Sequence, residues 1–206
     1  MSPLLAWLAA QSPWECAAVL LALAYLLLAM RESLWCWYAA FLSTAIYIAL
    51  FWRVGLMMET ALQGYYLAMA IYGWWQWRGG ARHEQPLAIS RRPWRWHALA
   101  LLAILLAAGL SGTLLAGYTA AARPYADSFV TWGSLLTTWM VTRKLLENWL
   151  WWLLIDSLSL ALYLDRGLYL TAALFAAYLV IVVFGYLKWR QHFREQHAAS
   201  PAARAA

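Results

Sequence analysis

The stretch Tyr66-Leu-Ala-Met-Ala-Ile-Tyr-Gly73-Trp-Trp-Gln-Trp77 returns later in the chain as Tyr178-Leu-Val-Ile-Val-Val-Phe-Gly185-Tyr-Leu-Lys-Trp189. Both copies read Tyr-x6-Gly-x3-Trp, and they are separated by 112 positions. Without gaps, the same offset also aligns Glu15 with Asp127, Arg31 with Arg143, and Gly55-Leu56 with Gly167-Leu168. An ungapped repeat of this length predicts that one structural unit occurs twice.

The composition indicates the environment of that unit. Of the 206 residues, 65% are hydrophobic, and the chain holds 16 Trp and 12 Tyr at a mean hydropathy of +0.58. These values lie outside the range of soluble globular domains. The apolar runs approach the roughly 20 residues of a membrane-spanning helix, and the alternating strands of a barrel are absent. The sequence therefore predicts an all-α, polytopic membrane protein.

Seven membrane spans are predicted: 14–30, 33–52, 56–77, 96–118, 128–142, 149–165 and 168–188. The repeat groups them as a first three-helix repeat at 14–77, a linker helix at 96–118 and a second three-helix repeat at 124–189. Three spans reverse the orientation of the chain and the linker restores it, so the two repeats are predicted to be parallel, with a substrate site between them. The fifth and sixth spans are short and polar, and we expect neighbouring helices to shield them. Residues 1–13 are predicted to lie in the membrane interface, 78–95 to form a cytoplasmic loop and 190–206 to form a cytoplasmic tail.

The basic residues predict the orientation. Of the 15 Lys and Arg, all but Arg53, Arg123 and Arg166 fall in the loops after the first, third and fifth spans or in the C-terminal tail. Because positive residues accumulate on the cytoplasmic side, the N-terminus is predicted outside and the C-terminus inside. The net charge of +6 does not indicate nucleic-acid binding, since the basic residues stand beside aromatic residues at helix ends.

The sixth span carries a polar stripe. Read as a helix, it places four side chains on one face: Asn148, Trp152, Asp156 and Ser159. An amide, a carboxylate and a hydroxyl facing lipid would be costly, so the stripe is predicted to line the interior. The equivalent residues of the first repeat are much less polar: Cys36, Ala40, Thr44 and Tyr47.

Each member of the stripe has a functional and a structural interpretation. Trp152 can stack on an aromatic heterocycle while Asn148 hydrogen-bonds a substituent of that ring; alternatively, Asn148 and Trp149 are membrane-interface residues. For Trp149 and Trp151 the interface interpretation is preferred. Asp156 is a hydrogen-bonded structural aspartate, a counter-charge for a cationic substrate or a proton carrier.

The repeated motif supplies further candidates. Gln63 and Tyr66 on the third span and Tyr178 on the seventh can reach substrate hydroxyl groups. Gly73 and Gly185 are interpreted as sites of close helix packing. Trp77 and Trp189, each beside a basic residue, are interpreted as membrane anchors. A hydroxyl stripe in the fifth span either lines the path or packs between helices: Thr131, Ser134 and Thr138.

Three segments resemble the PnuC family of bacterial vitamin transporters: Leu62-Gln63-x-Tyr65-Tyr66-x5-Tyr72-Gly73-Trp74-x2-Trp77, Glu147-Asn148-Trp149-x-Trp151-Trp152-x3-Asp156 and Tyr178-x6-Gly185-Tyr186-x2-Trp189. The resemblance implies a 3+1+3 fold similar to a full-length SWEET transporter, located in the bacterial inner membrane. It implies uptake of nicotinamide riboside, an NAD precursor, with thiamine or riboflavin carried by relatives. It also implies facilitated diffusion with trapping by a separate kinase, and a homotrimer.

Other classes of membrane protein fit the sequence less well. A membrane enzyme would need a catalytic cluster within a span, whereas all four histidines are predicted in loops or at helix ends. A retinal-type receptor would need a lysine deep in the last span, and Lys188 stands at its end. No charged ring or filter sequence indicates a channel. Neither a cofactor nor a metal site is predicted. Thiamine, also aromatic and cationic, remains an alternative substrate.

Overall fold

The computed structural model describes residues 13–53, 55, 57–79, 87–118, 123–165, 167 and 169–202. Within these ranges it consists of seven helices: α1 (Pro13–Met30), α2 (Trp35–Arg53), α3 (Met57–Trp77), α4 (Trp94–Tyr118), α5 (Pro124–Thr142), α6 (Asn148–Asp165) and α7 (Tyr169–Ala202). Each predicted span corresponds to one helix, which confirms the all-helical prediction. Residues 1–12, most of the predicted interfacial segment, lie outside the described ranges.

Four helical segments in the described part of the chain are long and apolar enough to cross a membrane: α1, α2, α4 and Thr171–Ala198 of α7. Helices α3, α5 and α6 are more polar. As expected for shielded spans, α5 and α6 bury more side chains than α1 or α4. Helix α7 continues to Ala202, well beyond the predicted span end at 188. The segment predicted as a tail is thus largely helical, and Gln191 donates a hydrogen bond to Glu195 one turn later (2.8 Å).

The chain divides into two compact units, Met1–Gln85 and Pro86–Ala206. In the first unit, α2 packs against both α1 and α3. In the second unit, α6 packs against α5 and α7, and α4 packs against α5. The helix predicted as a linker is therefore part of the second unit. Below, α1–α3 are called the first triplet and α5–α7 the second triplet.

The α1–α2 turn and the α5–α6 turn have the same backbone hydrogen bonds. In the first triplet, the N–H groups of Arg31, Glu32 and Ser33 donate to Leu28, Ala29 and Leu28, at 3.1, 3.0 and 3.0 Å. In the second triplet, 112 residues later, those of Arg143, Lys144 and Leu145 donate to Met140, Val141 and Met140, at 3.2, 3.0 and 3.0 Å. Glu32 (φ +54°) and Lys144 (φ +47°) are the non-glycine residues with left-handed backbone in the described part of the chain. The repeat seen in the sequence is thus also a repeat of local backbone geometry.

The repeated glycines end helices in the same way. Gly55 and Gly167 have φ of +75° and +71°, and each donates its N–H to the carbonyl three residues earlier, at 3.1 Å in both cases. A left-handed residue at this position closes a helix, and glycine adopts it without steric cost.

The repeated Gly and Trp form one packing motif, which occurs in both triplets. The ring of Trp37 lies on Gly73, and the ring of Trp77 meets it edge-on (centroids 5.2 Å apart, 85°). In the second triplet the ring of Trp149 lies on Gly185, and the ring of Trp189 meets it edge-on (5.4 Å, 86°). The interpretation of the two glycines as close-packing sites is confirmed.

This motif corrects the interpretation of four tryptophans. Trp77 and Trp189 were expected to anchor the helix ends in the membrane interface, and Trp149 and Trp151 to belong to the same aromatic belt. All four are buried within their units. For Trp77, Trp149 and Trp189 the expectation failed because the repeated glycine opens space for an indole ring on the facing helix, against which the tryptophan one turn later packs. Trp151 is buried for another reason, since it packs in a core with Ile104, Met140 and Leu145.

The second unit has a core formed by three helices and a turn. It contains Ile104 of α4, Met140 of α5, Leu145 of the turn and Trp151 of α6. Helix α4 is further joined to α5 by a hydrogen bond from Trp132 Nε1 to Ser111 Oγ (3.1 Å). Ser111, a polar group in an otherwise apolar helix, thus has a specific partner on α5.

Candidate functional site

The polar stripe of α6 is largely buried within the second unit. Asn148, Asp156 and Ser159 are buried and Trp152 is half-buried. The prediction that this face points away from lipid agrees with that burial. Helix α6 begins at Asn148, directly after the α5–α6 turn, so the left-handed Lys144 and the turn hydrogen bonds determine where the stripe starts.

The side-chain amide of Asn148 makes one hydrogen bond to the turn that precedes it. Its Nδ2 donates to the carbonyl of Leu145 (2.6 Å), while Oδ1 is buried and has no hydrogen-bond partner in the described part of the chain. A buried polar atom without a partner is costly. The amide can therefore offer a ligand one acceptor, which suits an N–H donor such as a carboxamide.

Asp156 lies midway along α6 and is 5% exposed. Among the described residues, no ion pair or hydrogen bond to its carboxylate is found. Of its three possible roles, the hydrogen-bonded structural aspartate thus lacks its partner in this structure. A buried carboxylate is stable only beside a cation or when it carries a proton, and a cationic ligand can be that cation.

The remaining candidates divide between the two units. Thr44 of α2 is buried and donates to the carbonyl of Ala40 in its own helix (2.6 Å). Gln63 and Tyr66 of α3 are half-buried in the first unit. Tyr178 of α7 is half-buried in the second unit, where its ring contacts Phe175 edge-on at 5.6 Å. Within each unit these side chains are compatible with contact to a ligand.

A cavity of about 320 Å³ lies between α2 and α3 of the first unit. It is lined by Trp37, Tyr38, Phe41, Ala70, Ile71 and Trp74. The lining is almost entirely apolar and contains none of the predicted substrate-binding residues. Since Tyr38, Phe41 and Ile71 are exposed, this cavity is a groove on the surface of the triplet, with the character of a lipid contact.

Sequence reasoning missed a polar cluster at the start of α6. The carboxylate of Glu147 accepts hydrogen bonds from Arg91 Nε (3.0 Å) and from the backbone N–H of Arg92 (3.4 Å). Nε2 of His97 lies 3.9 Å from the same carboxylate. One signal was available in the sequence: Glu147 is an acid on the side of the membrane where the basic residues are concentrated.

The backbone reinforces this cluster. The N–H of Ser90 donates to the carbonyl of Lys144 (3.0 Å), and the N–H of Leu146 donates to the carbonyl of Ser90 (2.9 Å). The preceding residue, Ile89, is buried. The end of the predicted cytoplasmic loop is therefore paired with the α5–α6 turn like a short piece of parallel sheet.

His97 connects the cluster to the next turn of α6. Trp151 Nε1 donates to His97 Nδ1 (3.2 Å). An indole N–H can only donate, so Nδ1 is the unprotonated nitrogen and the proton of the neutral imidazole is assigned to Nε2, facing Glu147. His97 thus joins Trp151 of α6 to Glu147, the residue directly before that helix and one helical turn earlier in the chain.

Comparison with known proteins identifies the family to which the chain belongs. Residues 12–191, from the start of α1 into α7, match the sequence model of the family described as nicotinamide mononucleotide transporter. The chain belongs to this family. The match includes every candidate residue above, and the resemblance to PnuC proteins is confirmed. The protein is accordingly a multi-pass membrane transporter of the vitamin-carrying kind rather than an enzyme.

Two curated relatives carry different vitamins. The riboflavin/roseoflavin transporter RibM of Streptomyces davaonensis is 27% identical over 176 residues, covering 82% of this chain and 81% of the relative. The nicotinamide riboside transporter PnuC of Escherichia coli is 24% identical over 194 residues, with the same coverage. The crystal structure of the vitamin B3 transporter PnuC matches with a TM-score of 0.69 at 16% identity, covering 88% of this chain and 82% of that one. The fold is therefore shared, and the vitamin differs among relatives.

Proposed function

We propose that the protein takes up nicotinamide riboside across the bacterial inner membrane by facilitated diffusion. The observation that carries the choice of substrate is Asp156, a buried carboxylate without a cationic partner among the described residues. Nicotinamide riboside brings a pyridinium ring, which is both aromatic and cationic.

The neighbours of Asp156 on α6 suit the same ligand. Trp152 lies one helical turn before Asp156, and a cation over an indole face gains about 2 kcal/mol when it is desolvated. The free acceptor of Asn148 lies one turn further and matches the amide N–H of a carboxamide. Together these groups offer a counter-charge, a stacking surface and a hydrogen-bond acceptor along about two turns of helix.

The proposal includes the 3+1+3 plan of two repeats and a linker helix that the sequence predicts. The repeated turns and Trp–Gly packing motifs support two copies of one unit. In this plan the first triplet contributes Thr44, Gln63 and Tyr66, and the second adds Tyr178 and Ser159. The proposed topology has the N-terminus outside and the C-terminus in the cytoplasm, and the proposed assembly is a homotrimer. Protease access to a C-terminal tag in oriented vesicles, and light scattering of the purified protein, test these two points.

The test of substrate combines binding and uptake. Calorimetric titrations of the purified protein with nicotinamide riboside, thiamine and riboflavin are run in parallel. Uptake of labelled nicotinamide riboside and nicotinamide mononucleotide is measured in proteoliposomes. We expect saturable uptake of the riboside and little of the mononucleotide. A folded protein that neither binds nor transports any of the four compounds would contradict the proposal.

Asp156→Asn sharpens this test because it removes the charge and keeps the shape. Affinity for the cationic riboside should fall ten-fold or more, about 1.4 kcal/mol. Glu59→Gln, at an exposed acid of α3, is the matched control and should bind like the unaltered protein. Equal affinities of Asp156→Asn and the control would remove Asp156 from the site.

Riboflavin is the second candidate substrate, favoured by the similarity to RibM. Its isoalloxazine ring is aromatic but uncharged, so it can stack on Trp152 without needing Asp156. Riboflavin binding that survives Asp156→Asn, with no binding of the riboside, would establish this alternative. Thiamine is cationic, and its binding should depend on Asp156 as that of the riboside does.

A further inference from the structure

The polar cluster at the start of α6 is called the Glu147 clasp, defined as Glu147, Arg91, His97 and the backbone pairing of Ser90 with the α5–α6 turn. Glu147 is 7% exposed, and its carboxylate is held by a guanidinium and a backbone N–H. Arg91 is largely exposed and Glu147 is buried, so removing Arg91 would leave a buried carboxylate without its cationic partner, which is unfavourable for that arrangement. The clasp therefore has a well-defined closed form.

The clasp holds α6 at two points. Glu147 is attached to Arg91 and Arg92, and Trp151 is attached to His97. Residues four apart lie on one face of a helix, so both attachments act on the same side of α6. At 3.6 residues per turn, Asn148 and Trp152 project about 100° around the helix axis from that side. Two attachments one turn apart fix both the position of α6 along its axis and its rotation about that axis. They therefore fix the direction in which the polar stripe points.

The turn itself does not need the clasp. The α1–α2 turn of the first triplet forms the same backbone hydrogen bonds, although its equivalent of Glu147 is Trp35, which is 69% exposed, and its equivalent of Trp151 is Ala39. A requirement for folding of the turn would apply to both triplets. The clasp is instead confined to the triplet that carries the polar stripe.

We propose that Glu147 is a positioning residue for transport, acting by holding α6 so that Asn148 and Trp152 meet the substrate in one orientation. This inference rests on the proposed function, because it assumes that the stripe binds the vitamin. Arg91 and His97 act through Glu147 and Trp151 respectively, and none of the four needs to touch the substrate.

The test compares Glu147→Gln with Arg91→Gln and with their double variant. Glutamine preserves the size of Glu147 and removes its charge. We expect Glu147→Gln to raise the Kd for nicotinamide riboside ten-fold or more and Arg91→Gln to raise it by a smaller factor. The Kd of the double variant should be no higher than that of Glu147→Gln alone, because both changes break the same ion pair. Asp165→Asn, which breaks an exposed ion pair with Arg123 in the same unit, is the matched control and should leave the Kd unchanged.

A second measurement follows the helix without a ligand. Hydrogen exchange at the amides of Leu146 and Trp151, which donate to Ser90 and Glu147, reports whether the clasp and the first turn of α6 are closed. Both amides should exchange faster in Glu147→Gln than in Asp165→Asn. If the unaltered protein binds no vitamin, the proposed function fails, and this exchange still decides whether Glu147 holds the helix.

Two results would overturn the inference. The first is a folded Glu147→Gln that binds with unaltered Kd, or whose two amides exchange at the rate of the control. The second concerns the case in which Glu147→Gln does not fold. Arg91→Gln then replaces it in both measurements, because the Arg91 side chain is 59% exposed and its substitution should be tolerated. A folded Arg91→Gln with faster exchange and an unchanged Kd would assign the clasp to stability alone.

Discussion

The α1–α2 and α5–α6 turns have the same backbone and different surroundings. Both contain a left-handed non-glycine residue and the same hydrogen bonds, and both are followed by a helix whose tryptophan packs on a repeated glycine. In the second triplet the turn is also paired with Ser90 and held through Glu147, whereas in the first the equivalent Trp35 is exposed. The repeat thus determines backbone and packing in both triplets, and polar side chains present in only one of them give that triplet its specialised role.

The crossings of neighbouring helices show the same division. Between α1 and α2, Ser43 donates a hydrogen bond to the carbonyl of Ala18 (2.8 Å). The equivalent of Ser43 in the second triplet is Ile155, which packs on Gly133 of α5. One crossing is held by a buried hydrogen bond and the other by apolar contact at a glycine. The two crossings of neighbouring helices thus use two kinds of chemistry.

The largest effects should come from the packing motif that the triplets share. In Gly185→Leu, the Cβ alone would lie 2.5 Å from the Trp149 ring, and in Gly73→Leu it would overlap the Trp37 ring. Because indole rings between packed helices cannot retreat, both variants should lose most folded protein. The measurement is the monodisperse fraction in size-exclusion chromatography, with melting temperature for any folded remainder.

Gly64→Leu is the control for this pair, since a Cβ at Gly64 of α3 meets open space. It should yield folded protein at the level of the unaltered chain. Loss of folding in only one of the two packing variants would contradict a shared role, because it would show that the motif supports one triplet and is dispensable in the other.

A smaller effect, on function, should be confined to the second triplet. Trp152→Ala should weaken vitamin binding ten-fold or more and leave the fold intact, because Trp152 is only half-buried and is proposed to stack on the substrate. Trp14→Ala, at an exposed tryptophan of α1, serves as the control. Calorimetric titration of both variants gives the ratio of affinities, and equal values would exclude Trp152 from the site.

Much of the fold could be predicted from the sequence, because it depends on local chemistry. Apolar runs of spanning length located all seven helices, and left-handed glycines such as Gly55 and Gly167 ended them where the repeat placed them. The close packing at Gly73 and Gly185 was also predictable. The burial of Trp149 and Trp189 was not, since a tryptophan near a helix end suits an interface and a glycine-lined contact equally well.

The candidate site was predictable in part for the same reason. Helical spacing alone places Asn148, Asp156 and Ser159 on one buried face. The Glu147 clasp was missed because its partners, Arg91 and His97, are about fifty residues away in the sequence. No periodicity reports a contact across that distance, and basic residues near a membrane surface have an ordinary explanation without it.

A modest loss of stability should follow removal of the hydrogen bond that is specific to the first triplet. Ser43→Ala leaves the carbonyl of Ala18 without its side-chain donor, and we expect a loss of about 1 kcal/mol. The control is Ser157→Ala, an exposed serine that bonds only to its own helix at Leu153. Melting temperatures in detergent compare them. Equal values would show that the α1–α2 crossing, like α5–α6, is held by apolar contact.

The smallest effect should come from the exposed ion pair of the second triplet. Arg123 donates to both carboxylate oxygens of Asp165, at 2.8 and 2.9 Å, and the two side chains are 55% and 48% exposed. Water screens such a pair, so Asp165→Asn should cost no more than about 1 kcal/mol, less at high salt. The first triplet has Gln11 and Arg53 at these positions and manages without the pair. The contradicting result is a melting temperature of Asp165→Asn that falls as far as that of Ser43→Ala, and equally at low and high salt. It would show that the ion pair holds the start of α5 to the end of α6. The second triplet would then have a second specialised attachment, at the ends of these helices opposite the clasp.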